Sequence, residues 1–151
     1  MSKSEAKISP KILNVILANQ GVLLFQTLNY HWNLEGKEFH DYHLLFDKQY
    51  NQLFENMDVV AERVRAVGGF TLGSMKDFVK EAVLKEDSAA APEPKVMVKN
   101  LLKQYELLIK NLKTAHEAIE AKTDDYGSIN MIEDLIQQYE KTAWMLRSLA
   151  R

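Results

Sequence analysis

The chain has 151 residues, 46% of them apolar and 26% charged, with a formal net charge of −2 and no cysteine. That length supports one domain burying about two thirds of its unfolded surface, and the composition excludes extended disorder or a second independent core. The slight acidic balance supplies no basic field for nucleic acid. The lack of cysteine removes disulfides, zinc–thiolate sites and thiol catalysis, and makes a reducing cytoplasm the expected compartment.

In chain order, residues 1–9 read as a short polar tail and 10–151 as the folded domain. Nothing near the N-terminus reads as a signal peptide and no segment as a membrane span, so a soluble protein is expected. Pro10 suits a first helical position. Ile12, Val15, Ala18, Val22, Phe25 and Trp32 recur at helical spacing, predicting an amphipathic helix to about Leu34 with Gly36 as its stop. A second helix starts near Lys37. Phe46, Tyr50, Leu53, Met57, Val60, Val64 and Val67 form its seam, and Gly68 and Gly69, free to take positive φ, end it. A long connection follows, with Ser74 capping a short helix through Ala82 and a linker over Glu86–Pro94. The third long helix carries Val98, Leu101, Tyr105, Leu108, Leu112, Ala115 and Ile119 on its seam. After a turn over Thr123–Gly127, Ser128 caps a fourth bearing Ile132, Ile136, Tyr139, Ala143 and Leu146. No strand pattern competes. The expected architecture is an all-α four-helix bundle with a short extra helix in a middle connection that crosses it.

His31, His43, Asp47, Asp58 and Glu62 are side chains suited to iron, manganese or zinc. At 100° per residue, Asp47 and Asp58 fall within about 20° of each other on the second helix, and their stripe lies about 120° from the apolar seam. His43 and Asp58 are 15 residues apart, roughly 22 Å along a helix. Metal–ligand bonds are about 2.0–2.2 Å long, so one chain cannot bring both to the same ion. Two copies of this helix packed antiparallel can. A two-fold axis near Gln52 or Leu53 sets His43 and Asp47 of one chain opposite Asp58 and Glu62 of the other, with His31 folded back by the Glu35–Glu38 turn. Leu44 and Phe54 lie on the same outer stripe. Spacing alone leaves a solvated helix face and a shared metal site both open.

The run His31-Trp32-Asn33-Leu34-Glu35-Gly36, then Phe39, His43, Asp47, Asp58 and Glu62-Arg63-Val64-Arg65, resembles the signature of the Dps proteins, the mini-ferritins of the ferritin-like superfamily. Gly68-Gly69, Leu72-Gly73-Ser74 and Glu140-Lys141-Thr142-Ala143-Trp144-Met145-Leu146 are similar to that family too. The resemblance spans nearly the whole chain. It implies a ferritin-like bundle assembled from two-fold dimers into a hollow dodecamer. The five positions would then form a dinuclear iron ferroxidase centre between subunits: His31 and His43 as nitrogen ligands, Asp58 and Glu62 as acids from the other chain, and Asp47 as a weaker ligand or an acceptor for bound water. The implied activity is oxidation of Fe(II) by hydrogen peroxide and storage of Fe(III) mineral, protecting the cell from oxidative damage. Larger ferritins place Glu-x-x-His pairs inside the bundle, and this sequence contains none.

Trp32 reads either as a neighbour of the centre, placed to donate an electron to stray oxidant, or as plain core packing. His40, with His43 and Asp47, lacks the fourth ligand of a zinc site and reads as a surface or capping residue. His116 reads as a satisfied structural histidine. In the family, acids around three-fold pores admit iron. The matching region offers Asp124, Asp125, Glu133 and Asp134, and departs from the family pattern at Asn130, where many relatives carry aspartate. The family also binds DNA through a lysine-rich tail, for which Lys3, Lys7 and Lys11, with Glu5 among them, offer a weak counterpart. A DNA-condensing, nucleoid-associated protein with secondary iron chemistry is the competing expectation.

Overall fold

A computed structural model describes residues 5–87 and 92–151, so part of the predicted linker and Lys3 of the tail lie outside the described residues. A 3-10 turn, Glu5–Lys7, leads into five α-helices: α1 Ile8–Asn33, α2 Phe39–Ala66, α3 Met75–Glu81, α4 Pro94–Lys122 and α5 Tyr126–Leu149. No strand occurs among the described residues.

Side-chain bonds between helices fix their directions. Asn19 meets Asn111 and Tyr30 meets Asn100, so α1 and α4 run antiparallel. Gln52 meets Thr142 and Arg63 meets Ser128, so α2 and α5 do as well. Because α1 and α2 are joined by a short turn, α2 and α4 point the same way, and the chain between them must travel the bundle's length. Ser74 caps α3 as expected, its hydroxyl accepting from Asp77 N. Phe78 of α3 lies against Gly21. Beyond α3 the crossover is pinned by side-chain amides: Asn19 Oδ1 accepts from Val83 N and Leu84 N, and Gln104 Nε2 donates to Lys85 O.

The predicted seams of α2, α4 and α5 face the core. Phe46, Leu53, Val60, Val64, Leu101, Leu108, Leu112, Ile132, Tyr139 and Leu146 are all buried. α1 departs from its prediction. It starts at Ile8, two residues before Pro10, and is buried around its whole circumference by Leu13, Ile16, Leu17, Val22, Leu23 and Leu24, while Phe25 and Trp32 of the supposed seam are exposed. The helix therefore lacks the polar face that amphipathicity requires. It is also, contrary to the sequence reading, long and apolar enough to cross a membrane, with a window of mean hydropathy 1.4; 67% of that window is buried inside the bundle. Its buried Asn19 and Gln20 bond to Asn111 and Tyr139 of neighbouring helices, the pattern of a central bundle helix rather than a lipid-facing one.

Two terminus predictions also change. Gly68 takes positive φ (+90°) at the end of α2, but Gly69 does not; its lack of a side chain leaves room for Pro10, whose Cβ would lie 2.5 Å from an added Cβ. Asp125, not Ser128, caps α5, accepting from Ser128 N, and the Ser128 hydroxyl turns inward to Arg63 Nε.

Candidate metal centre

The α1–α2 turn builds the first half of the site. Gly36 at φ +110° permits the reversal, and Phe39 N bonds back to Gly36 O at 3.1 Å. His31 is thereby folded over His43. The Nδ1 of His31 lies 2.9 Å from the carbonyl of His43, and the Nδ1 of His43 lies 2.9 Å from the carbonyl of His31. A carbonyl only accepts, so each Nδ1 carries a proton, and in the neutral imidazole this leaves the Nε2 lone pair for a metal. The rings stack at 3.8 Å and 12°. Phe39 continues the stack on His43 at 4.8 Å, and His31 is 7% exposed. Both imidazoles are held by main chain and rings.

Asp47 stands beside them, its Oδ1 4.0 Å from His31 Nε2. Tyr50 Oη donates to the same oxygen at 2.9 Å, and Asn51 Nδ2 donates to the Asp47 carbonyl at 2.9 Å and to Oδ2 at 3.3 Å. The Tyr50 ring meets His31 edge-on at 5.1 Å. The bond to Asp47, followed by burial, raises the Tyr50 phenol above its ordinary pKa. Sequence reading put Tyr50 on the apolar seam and missed this contact. The available signal was an aspartate three residues earlier, on the same side of the helix.

Asp58 and Glu62 are the predicted acids of the candidate centre. Both are exposed on α2, toward the end remote from the imidazoles, and between the halves lie Leu44, 53% exposed, and Phe54, 66% exposed. Among the described residues of one chain, no three histidine, aspartate or glutamate side chains gather closely enough to hold a metal ion. Leu53, one of the two positions expected near the axis, is wholly buried, and Gln52 is half-buried against Thr142. The exposed residues midway are Asn51, Phe54 and Glu55.

The remaining predicted residues divide. Trp32 is 64% exposed, so packing in this chain's own core is overturned. His40 is exposed. His116 Nε2 lies 2.9 Å from Glu133 Oε1, joining α4 to α5. Asp125 is engaged by Arg63 and Ser128, whereas Asp124, Asp134 and Asn130 are exposed. Burial pushes the Asp125 carboxyl up, but hydrogen bonds from Ser128, Ser9 and Arg63 outweigh it and hold its pKa below the usual carboxylate value. Gly127 packs under the Arg63 guanidinium, where a Cβ would collide.

Among the described residues the bundle interior offers no alternative centre. Apart from His31, its buried polar side chains among the described residues are amides and hydroxyls, with no carboxylate. Gln20 and Asn56 both donate to Tyr139 Oη, and burial pushes that phenol up to about 12.

With this geometry in hand, the chain is similar to several known proteins. The sequence matches the ferritin-like domain family over residues 10–151. It is 39% identical to an uncharacterized low temperature-induced protein of Nostoc sp. over 91% of this chain and 76% of the relative. It is 30% identical to DNA protection during starvation protein 2 of Bacillus anthracis over 91% of this chain and 93% of the relative. Among solved structures, a Dps protein from Bacillus brevis matches with TM-score 0.94 at 28% identity, covering 100% of both chains. One from Vibrio cholerae O1, described as a member of a broad superfamily of ferritin-like diiron-carboxylate proteins, matches with TM-score 0.93 at 27% identity, covering 100% of this chain and 94% of that one.

Proposed function

The chain belongs to the Dps family of ferritin-like proteins, and from that premise we propose that it is a ferroxidase. It oxidises Fe(II), with hydrogen peroxide as preferred oxidant, and stores the Fe(III) as mineral inside a hollow dodecamer in the cytoplasm, limiting oxidative damage. The observation that carries this reading is the reciprocal His31–His43 lock, which leaves two Nε2 lone pairs on one chain with the acids Asp58 and Glu62 out of reach farther along α2. A two-fold axis beside Asn51 and Phe54 brings the acids of one subunit to the imidazoles of the other and makes two equivalent sites. The same contact covers Leu44 and Phe54.

Iron is here the substrate. Two ferrous ions held about 3.5–4 Å apart, the usual two-metal separation, each yield one electron to one peroxide. The O–O bond breaks, two protons are taken up, and two waters leave, so no hydroxyl radical is released. His31 and His43 supply neutral nitrogen ligands, and Asp58 and Glu62 supply negative charge that favours Fe(III) over Fe(II). So few protein ligands favour onward movement of iron into the cavity. Asp124 and Asp134, exposed at the start of α5, are available to draw cations inward, while Asp125 and Glu133 already have partners within the chain.

Anaerobic Fe(II) followed by measured peroxide tests the reading. The expected result is about two irons oxidised per peroxide and a particle whose native mass rises with mineral. Peroxide consumption unchanged in a His31→Ala, Asp58→Ala double variant would contradict it.

A further inference from the structure

Among the described residues, Tyr50 is the one side chain that both meets the His31 ring and bonds to Asp47. Its hydroxyl donates to Asp47 Oδ1 at 2.9 Å, and its ring edge lies 5.1 Å from the His31 ring. Without that bond little would hold Asp47. The carboxylate is nearly half-exposed, the 4.0 Å approach of Oδ1 to His31 Nε2 is too long for a hydrogen bond, and Asn51 reaches Oδ2 only at 3.3 Å. An exposed aspartate on a helix otherwise samples several rotamers, most of them directed to water.

We infer that Tyr50 is a positioning residue of the iron site, holding the Asp47 carboxylate on the His31 side so that it is ready for a divalent cation or for the water that cation carries. The inference rests on the ferroxidase reading above. Phe39 and the two carbonyls already fix the rings of His31 and His43. Asp47 is therefore the only member of the imidazole half whose orientation depends on a side-chain bond, and Tyr50 is the only hydroxyl on it among the described contacts. A fixed carboxylate loses less rotamer freedom when the cation arrives, so the gain falls on binding rather than on electron transfer. Groups that orient metal ligands in this way are worth roughly 10–100-fold in metal affinity.

Tyr50→Phe removes the hydroxyl and keeps the ring against His31 and the α2 seam. Two readouts in the assembled protein test the inference. The first is titration with cobalt(II), a redox-silent stand-in read by its visible absorption. The second is the Fe(II) concentration giving half-maximal oxidation by peroxide. The expected result is a loss of cobalt affinity of roughly tenfold and a matching rise in the half-maximal Fe(II) concentration, with maximal rate and melting temperature close to the parent. In an Asp47→Ala background, Tyr50→Phe should cost nothing further, because the partner through which it acts is gone. Unchanged cobalt affinity in Tyr50→Phe, or an undiminished loss in the Asp47→Ala background, would overturn the inference. If the parent binds cobalt with this dependence on Tyr50 but does not oxidise iron with peroxide, the ferroxidase reading fails while the positioning role stands.

Discussion

The two halves of the proposed site differ in how they are held. His31 and His43 are fixed before any ion arrives by reciprocal main-chain bonds, a 3.8 Å ring stack and the flanking Phe39. Asp58 and Glu62 stand exposed on α2, with apolar Phe54 between them and His43. The difference follows from protonation chemistry. A neutral histidine has a spare N–H that can be anchored to a carbonyl while the other nitrogen stays free. A carboxylate can only accept, and burying it without a cation or donor is costly. A chain can therefore preform the nitrogen half alone, whereas in the proposed centre the acid half stays in water until a second subunit brings it to the metal.

The largest expected effect comes from breaking either half. His31→Ala or Asp58→Ala alone should lower peroxide-driven Fe(II) oxidation by on the order of a hundredfold or more, since each removes a direct ligand from a site with few. His31→Ala should also remove the ring that His43 stacks on and the Nδ1–H bond to the His43 carbonyl, visible as faster amide exchange at the α1–α2 turn, while Asp58→Ala should leave that turn as it was. Equal disturbance of the turn by both variants would remove the distinction between a preformed and a delivered half.

Next in size is the apolar stripe between them. Phe54→Asp places a negative charge on each side of the proposed axis, where like charges cost several kcal/mol. Sedimentation should then find small species in place of a closed particle, with the helical content of the chain retained. A particle of parental mass would move the axis elsewhere.

The smallest effect lies at the far end of α2, where Arg63 and Ser128 hold Asp125. The Asp125 carboxyl has a folded pKa below its unfolded value, so its contribution is present above the unfolded carboxylate pKa and is lost as pH falls through the folded one. Arg63→Met should cost about 1–3 kcal/mol at neutral pH. That deficit should shrink on acidification below the ordinary carboxylate range, as read by chemical denaturation at several pH values. A deficit independent of pH would assign the loss to packing instead.

Much of this was legible in the sequence for a physical reason. The α2, α4 and α5 seams were readable because each of these helices keeps one face in water, and the resulting three-four rhythm survives in residues such as Leu101, Leu108 and Leu112. α1 was misread because it is surrounded: with Leu13, Leu17 and Leu24 buried on different sides, spacing carries no facing information. The α5 cap was misassigned to Ser128 because its hydroxyl is claimed by Arg63, a contact across 65 residues that local rules do not see. The five candidate ligands stood out by residue type and spacing. Tyr50 did not, since its ring satisfies the apolar seam and the contact with Asp47 is made by its hydroxyl.

Complementation between two inactive variants tests most directly whether the centre is built from two chains. In a mixed dimer of His31→Ala and Asp58→Ala subunits, one site collects both lesions and the other has every ligand intact. Random pairing of equal amounts makes about half of the dimers mixed, each with one intact site of two, so activity should return to about a quarter of the parental value. Activity that stays at the level of either variant alone would mean that the imidazoles and acids of different chains do not share an ion.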